Sequence, residues 1–388
     1  MLGLLTPHPS FWDELTDHPQ VVWGALLALV IVILLTPAVG GMARLLGVVD
    51  RPGGRRLHTR SIPRLGGLAL FLGVIVSALA FLDLTSETRG VLLGVAVATT
   101  VGAVDDFRGL RPLEKLLGQI AAAVIPVAFG IWIDHFTLPF VGVHSIPGWV
   151  GKPLTVIWIV AIMNMVNFLD GLDGLAAGVC AIAGGTFSVI ALSLEKPNAA
   201  IMSAIVLGAC VGFLRHNFYP ARIFMGDSGS NLLGFVLATV AVQGLLKTAA
   251  TVALALPLVV LAVPILDTGF VIAKRLKYRR PITSADREHL HYRFLNIGFS
   301  VRRATLTIWF WCATLAAAAL GTRFFPVHEH GHWHVWAIVA AAGLGVLALA
   351  ASLYVVYLLE IVKLANPRIR RRERSGGAAT SPPERKSA

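Results

Sequence analysis

Long apolar runs recur along the whole chain of 388 residues, and they constrain its fold more than any other feature. Each run is close to the ~20 residues that an α-helix needs to cross a ~30 Å hydrocarbon core. In that core a helix satisfies its own backbone hydrogen bonds, whereas an open sheet edge does not. Because 56% of the residues are apolar and only 14% are charged, a water-soluble domain is excluded. The sequence predicts an all-α, polytopic integral membrane protein.

We predict eleven membrane-spanning helices within one multi-pass domain over residues 1–365. The predicted spans are approximately 21–45, 66–82, 90–104, 115–133, 153–168, 174–194, 199–214, 231–246, 249–273, 304–322 and 335–362. The remaining residues, 366–388, are rich in Arg, Ser, Gly and Pro, which predicts a disordered basic tail.

The positions of Lys and Arg predict the orientation of these spans. An odd number of spans places the two termini on opposite sides of the membrane. If the C-terminus is inside, the inner segments contain 27 of the 33 Lys and Arg residues and the outer segments contain five. Basic residues concentrate in cytoplasmic loops, so the N-terminus is predicted outside and the C-terminus in the cytoplasm. The net charge of +12 therefore follows largely from topology, and we expect no nucleic-acid partner.

The acidic residues near the predicted spans gather on the cytoplasmic side. A carboxylate at a bilayer boundary is costly, so such a group, supplied by separate spans, indicates a functional site. Oxygen ligands of this kind favour a divalent cation. The residues concerned are Asp105, Asp106, Asp170, Asp173, Asp227 and Asp267.

The most informative motif is NMVNFLDGLDG at 164–174. Asn164 and Asn167 are about one helical turn apart, so both amides can face one polar interior. The two Asp-Gly steps, at Asp170 and Asp173, predict a turn before the next helix. Helix capping is the alternative, but a cap needs one such residue and this segment supplies four.

A second motif, FMGDSGS at 224–230, precedes the eighth span. Glycines on both sides of Asp227 would let the backbone approach a ligand closely. Ser228 and Ser230 are candidate caps for a helix whose N-terminus would favour phosphate.

The third element is the pair Asp105 and Asp106, followed by Lys115. Adjacent residues cannot share one helical face, so these carboxylates are predicted to point apart. One would bind metal or act as a base while the other holds a cation. Lys115 is a candidate phosphate ligand. The alternative is that it only contributes to the excess of basic residues on the cytoplasmic side.

Two basic inner loops complete the set of candidates. The motif REHLHYR at 287–293 offers His289, His291 and Arg293 to an anionic ligand. The first inner loop is similarly basic and supplies His58 and Arg64. The basic residues of either loop, taken alone, could also reflect only the excess of Lys and Arg that is typical of cytoplasmic loops.

A separate histidine run lies in the predicted outer loop before the last span. It comprises His328, His330, His332 and His334, whose alternate spacing suits a transition metal. The run is predicted to face away from every aspartate above, so its role stays open.

These elements, in this order, resemble the polyprenyl-phosphate N-acetylhexosamine-1-phosphate transferases. The resemblance runs from about Gly54 to Ser300, and the HLHYR loop is similar to that of the WecA and TagO type. It implies a bacterial inner-membrane enzyme with a cytoplasmic active site. Such an enzyme transfers a sugar 1-phosphate, most simply GlcNAc-1-phosphate, from a UDP-N-acetylhexosamine to undecaprenyl phosphate and releases UMP. The reaction would start assembly of a cell-envelope polysaccharide, and a homodimer is one open assembly state.

The resemblance also implies residue roles. Asp227 would be a ligand of Mg2+, or of Mn2+ in its place, with Asn167 beside it. Lys115 would hold the pyrophosphate and Asp173 would meet the uracil end. Asp105 and Asp106 would lie against the lipid phosphate. His289, His291 and Arg293 would close over the sugar and phosphate, and the further substrate-binding candidates are Asn164, Asp170, His58 and Arg64.

Several alternatives remain at this stage. We favour direct attack of the lipid phosphate on the β-phosphorus, with Asp105 or Asp106 as base or positioning charge. A covalent phospho-sugar aspartate is the rival, and it predicts exchange of labelled UMP into the UDP-sugar without lipid. For the whole protein, the alternatives are a phospho-MurNAc-pentapeptide transferase, a CDP-alcohol phosphatidyltransferase and a secondary transporter. A transporter would place its acidic residues near the bilayer midplane rather than at one edge.

Overall fold

The structure is a computed structural model, and it describes most of the chain. The described residues are 11–51, 60–138, 142–246, 261–263, 265–269, 290–325, 328–329, 332–333 and 335–365.

The described chain is almost entirely helical. Its helices are α1 (Phe11–Asp17), α2 (Gln20–Leu45), α3 (Gly66–Phe81), α4 (Ser86–Arg108), α5 (Pro112–Ala128), α6 (Gly148–Leu169), α7 (Leu175–Ser193), α8 (Pro197–Asn217), α9 (Gly226–Val240), α10 (Leu290–Asn296), α11 (Val301–Phe324) and α12 (Val335–Ala365). A π-helical turn, Ala241–Leu246, continues α9.

Seven helices in the described part are long and apolar enough to cross a membrane. They are α2, α4, α6, α7, α8, α11 and α12, and the apolar α3 is shorter. The predicted all-α membrane architecture is confirmed. Ten of the eleven predicted spans coincide with described helices, counting α9 with its π-helical turn as one. Most of the ninth, at 249–273, lies outside the described residues, so the count of eleven and the orientation stay predictions.

In the described part of the chain, short antiparallel strand pairs occur in three connections, which the all-helical prediction did not include. They are β1 (Val49–Asp50) with β2 (Ile62–Pro63), β3 (His135–Leu138) with β4 (Gly142–Ser145), and β5 (His328–Glu329) with β6 (His332–Trp333). The last pair carries two of the four outer histidines. His330 and His334 lie outside the described residues, so the metal role of that run stays a prediction.

Helix α9 lies at the centre of the bundle. Among its residues only Asp227 keeps appreciable exposure, and α9 packs against α3, α4 and α6. Helix α2 packs against α3 and α8, while α11 packs against α7 and α12. A helix that is apolar on all faces is typical of a fully buried position. The polar residues at its beginning are therefore held inside the protein.

The short N-terminal helix α1 lies at the end of the bundle where α11 finishes. The ring of Phe11 is 6.1 Å from that of Phe324, centroid to centroid. Helix α11 begins at the opposite end with Val301, beside the cavity described below. The N-terminal helix and the candidate site are therefore at opposite ends of the bundle.

Candidate active site

A lysine lies between two carboxylates from different helices. Lys115 is in the first turn of α5, and its Nζ is 3.1 Å from Asp105 Oδ2 and 2.5 Å from Asp227 Oδ2. Asp105 is near the end of α4, and Asp227 is in the first turn of α9. All three side chains are at most 20% exposed, so a shielded cation balances two shielded anions. The structure thus brings three of the predicted site residues together.

Asn167, from the last turn of α6, joins the same cluster. Its Nδ2 donates to Asp227 Oδ1 at 2.7 Å and to Ser230 Oγ at 2.8 Å. Its Oδ1 accepts from Lys115 Nζ at 3.4 Å. Asn167 and Asp227, the predicted metal ligands, are thus in direct contact.

The donor chemistry of this cluster fits Mg2+. Its ligand atoms are carboxylate and amide oxygens, which Mg2+ prefers, and it has no sulfur or imidazole in the described residues. In the described part of the chain, no three His, Cys, Asp or Glu side chains are close enough to hold a metal by themselves. Mg2+ characteristically takes one or two protein carboxylates and completes its shell with substrate phosphates and water. Few protein ligands are therefore expected here.

Asp106 has a different set of partners from Asp105. Its Oδ1 accepts from the backbone N–H of Asp227 at 2.9 Å, and its Oδ2 accepts from the N–H and Oγ of Ser228 at 3.0 and 2.8 Å. A guanidinium nitrogen of Arg64 is 3.6 Å from Oδ1. The two carboxylates therefore have different partners, and Asp106 caps the beginning of α9 from another helix. Two N–H groups at the beginning of α9, those of Asp227 and Ser228, are therefore already bonded to Asp106, and a phosphate at this helix N-terminus stays a prediction.

Gly226 allows this close packing. It has a φ of +70°, and a Cβ there would lie 2.2 Å from Arg64 O and 2.4 Å from Asp106 Oδ2. The glycine was predicted to let the backbone approach a ligand, but in the structure it lets the α9 N-terminus approach Arg64 and Asp106.

A cavity of about 870 Å³ adjoins the cluster. Its volume is within the range typical of sites for small ligands and cofactors. Its charged lining includes three arginines and three aspartates, namely Arg60, Arg64, Arg222, Asp50, Asp170 and Asp173. Tyr219, Phe224 and Tyr292 add aromatic rings. The cavity thus offers cations for phosphates and rings that could pack against a base or a sugar.

The predicted turn after α6 forms one wall of this cavity. Asp173 Oδ2 accepts from the N–H of Ala221 at 2.8 Å, which ties the turn to the segment after α8. Asp170 lies deeper, and burial, with the negative charge of Asp227 adding to it, raises its pKa well above the ordinary value. Burial therefore favours the protonated, neutral form of the Asp170 carboxyl group.

Asn164 does not line the cavity, whereas residues 170–173 of the same motif do. Its Nδ2 donates to Gln119 Oε1 at 2.8 Å, and Gln119 Nε2 donates to Asn231 Oδ1 at 3.0 Å. Gln119 and Asn231 are buried. We predicted Asn164 as a substrate ligand, and the structure places it in this buried amide chain instead.

The basic loops are described only in part. Arg64 lines the cavity, as does Tyr292, while Arg293 follows on α10. Asp267 Oδ1 accepts from the N–H of Leu290 at 2.6 Å and so fixes the start of α10. His58 and His289 lie outside the described residues, as does the side chain of His291, and their roles stay predictions.

Sequence reasoning missed the segment between α8 and α9. Tyr219 and Arg222 from this segment line the cavity, together with Pro220 and Ala221. Asn217 holds it in place by accepting from the N–H of Gly174 at 3.0 Å and donating to Ile223 O at 2.9 Å. The available signal was a tyrosine and an arginine, Tyr219 and Arg222, within the five residues before the FMGDSGS motif.

Comparison with known proteins gives a consistent family assignment. The family model for glycosyl transferase family 4 matches residues 88–245. A relative from Bacillus subtilis (strain 168), named probable undecaprenyl-phosphate N-acetylglucosaminyl 1-phosphate transferase, is 38% identical over 75% of this chain and 81% of its own length. A decaprenyl-phosphate N-acetylglucosaminephosphotransferase from Mycobacterium leprae (strain TN) is 37% identical over 81% of this chain and 86% of its own length. A phospho-N-acetylmuramoyl-pentapeptide-transferase from Desulforudis audaxviator (strain MP104C) is 35% identical over 69% of this chain and 85% of its own length.

Proposed function

The chain belongs to glycosyl transferase family 4, and on that premise we propose that it transfers N-acetylglucosamine 1-phosphate from UDP-N-acetylglucosamine to a polyprenyl phosphate. The observation that carries this proposal is Lys115 between Asp105 and Asp227, beside a cavity lined by arginines. The excess of Lys and Arg in the loops on this side supports a cytoplasmic site in the bacterial inner membrane. A soluble nucleotide sugar and a membrane-anchored acceptor can meet only at such a boundary.

The proposed choice of sugar follows the relatives. Those named for N-acetylglucosamine are 36–38% identical to this chain, and those named for phospho-N-acetylmuramoyl-pentapeptide are 30–35% identical. We therefore rank UDP-N-acetylglucosamine above the pentapeptide donor.

In the proposed complex, Asp227 and Asn167 hold Mg2+, with Mn2+ as a substitute. When bound, the ion offsets the repulsion between the acceptor phosphate and the donor pyrophosphate. Lys115 is a mobile point charge with three donors, so its ammonium can turn from Asp227 towards the pyrophosphate. The arginines of the cavity bind the remaining phosphate charge.

The proposed bond changes involve one phosphorus atom. An oxygen of the acceptor phosphate attacks the β-phosphorus of the donor. The bond from the β-phosphorus to the bridging oxygen breaks, and UMP leaves with that oxygen. The sugar phosphate becomes the outer half of a lipid-linked pyrophosphate. Because the acceptor is already an anion, the protein mainly has to position it and balance charge.

The contacts favour Asp105 over Asp106 as the carboxylate that faces the acceptor phosphate. Both oxygens of Asp106 accept hydrogen bonds from α9, so we infer that it is a positioning residue. Asp105 instead faces the cluster: its Oδ2 contacts Lys115 Nζ, and its Oδ1 accepts from the N–H of Leu110.

Substituting Asp106 by asparagine tests this distinction. An amide NH2 would face the donors of α9, and hydrogen bonds to a charged group contribute about 1.5–3 kcal/mol, so we expect kcat to fall about 10- to 100-fold. The dependence of kcat on pH should keep its acid limb, because Asp105, the carboxylate that we propose to face the acceptor phosphate, can still take up a proton. Asp105→Asn is the matched comparison, and it should flatten that limb. An Asp106→Asn enzyme that loses the acid limb would show that Asp106, and not Asp105, is the carboxylate whose protonation limits turnover.

A transfer assay tests the proposed function. Purified protein in detergent would receive undecaprenyl phosphate, Mg2+ and either UDP-N-acetylglucosamine, UDP-N-acetylgalactosamine or UDP-N-acetylmuramoyl-pentapeptide. We expect UMP release to be fastest with UDP-N-acetylglucosamine and to require the lipid. Faster release with the pentapeptide donor would contradict the proposed specificity, and no release with any donor would favour a transporter.

A further inference from the structure

A second cavity lies on the outer surface of the bundle between α11 and α12. It has a volume of about 440 Å³ and is separate from the active-site cavity. Its apolar part is lined by Leu306, Phe310, Trp311, Ala351, Tyr354 and Val355. Phe310 and Tyr354 are 61% and 56% exposed, whereas Trp311 is buried and donates from Nε1 to Ser352 Oγ at 2.8 Å. The cavity is therefore a groove, with Trp311 at its floor, that opens towards the bilayer.

Two exposed arginines stand at one end of this groove. Arg302 and Arg303 both line it, in the first turn of α11. Their guanidinium carbons lie over the rings of Phe218 at 6.0 Å and Phe299 at 5.2 Å. Within the described residues, neither arginine has a carboxylate at ion-pair distance. The groove thus combines an apolar trough with a positive end at the membrane boundary.

The dimensions of the groove fit one leaflet of a bilayer. Arg302 and Phe310 are eight residues apart on α11, which at about 1.5 Å per residue is roughly 12 Å along the axis. Half of a ~30 Å hydrocarbon core is of similar depth. A phospholipid acyl chain spans one leaflet with its headgroup at the boundary, whereas a long polyprenyl chain exceeds that depth.

We propose that this groove binds one anionic phospholipid, with the headgroup phosphate on Arg302 and Arg303 and an acyl chain along Leu306, Phe310 and Tyr354. Charge complementarity favours an anionic headgroup over a zwitterionic one. This site goes beyond the proposed transferase function and does not depend on it.

A lipid in this groove would contact residues that are next to the active-site cavity. Val301 lines the active-site cavity, and its neighbours Ser300 and Arg302 line the groove. Arg302 also lies over Phe218, which precedes the cavity residue Tyr219. Occupancy of the groove would therefore hold the start of α11 against the cavity.

Lipid retention tests the proposal without using activity. The full chain would be reconstituted with equal parts phosphatidylglycerol and phosphatidylcholine, re-extracted in mild detergent and analysed by native mass spectrometry. We expect wild type to retain one phosphatidylglycerol and the Arg302→Gln/Arg303→Gln variant to retain about ten-fold less. Leu306→Trp should also reduce retention by filling the groove while both charges remain. Arg44→Gln/Arg215→Gln removes two exposed arginines elsewhere and should retain phosphatidylglycerol like wild type.

Three results would overturn the proposal. One is equal retention of phosphatidylglycerol by wild type and the Arg302→Gln/Arg303→Gln variant. Another is equal retention of phosphatidylcholine and phosphatidylglycerol by wild type. The third is displacement of phosphatidylglycerol by stoichiometric undecaprenyl phosphate, which would assign the groove to the acceptor. Because no UDP-sugar is present, each result can be read even if the transferase proposal fails.

Discussion

Replacing Asp227 by asparagine is expected to lower turnover by at least about 10³-fold at saturating Mg2+ and donor. The carboxylate is in contact with Lys115 and Asn167, and it is the negative charge that would bind the metal. Asparagine keeps the shape of the side chain but loses this charge. The backbone N–H of residue 227 would still donate to Asp106, so the protein should remain folded. Turnover by the transfer assay and thermal unfolding in detergent would be measured together.

The control is Asp83→Asn, the same substitution at an exposed position after α3. It should retain wild-type turnover. If Asp227→Asn kept near-normal turnover at low Mg2+, the metal assignment would be wrong. If it unfolded at a much lower temperature than wild type, Asp227→Glu would be the second variant, because it retains the charge and should recover part of the activity.

Replacing Lys115 by glutamine is expected to lower kcat/KM for the UDP-sugar by about 10²- to 10³-fold. The substitution removes the cation between Asp105 and Asp227, so two shielded carboxylates would repel each other. It also removes the proposed ligand of the pyrophosphate. Both effects should raise KM for the donor as well as lower kcat. Lys115→Arg keeps the charge in a bulkier group and should lose less activity.

Steady-state kinetics with varied UDP-sugar separate this role from a structural one. Lys196→Gln, an exposed position after α7, is the matched control and should behave as wild type. If Lys115→Gln lowered only the unfolding temperature and left KM for the donor unchanged, Lys115 would be a structural partner of Asp227 and not a pyrophosphate ligand.

The sequence was sufficient to predict that four of the site residues lie at the same end of the bundle. Apolar runs predict the positions of the helices. Because successive helices cross the membrane in opposite directions, the end of α4, the start of α5, the end of α6 and the start of α9 lie at one end of the bundle. This is why Asp105, Lys115, Asn167 and Asp227 could be grouped before any contact was known.

The division of roles within the site could not be predicted in the same way. Asp105 and Asp106 are adjacent and chemically identical, and only the packing of α4 against α9 turns Asp106 towards the N–H groups of Asp227 and Ser228. Similarly, Tyr219 and Arg222 reach the cavity because Asn217 and Asp173 hold their segment across the turn after α6. Such contacts depend on the relative positions of helices far apart in sequence, which periodicity and charge do not specify.

The fate of the β-phosphorus tests the central claim most directly. The transfer assay would be run with UDP-N-acetylglucosamine labelled at that atom, undecaprenyl phosphate and Mg2+. We predict that the label moves to the lipid fraction, one equivalent for each UMP released, and that Asp227→Asn abolishes this transfer. Label that stays in water-soluble products while UMP is released, or label that reaches the lipid equally well with Asp227→Asn, would contradict a transferase site built on Asp105, Lys115, Asn167 and Asp227.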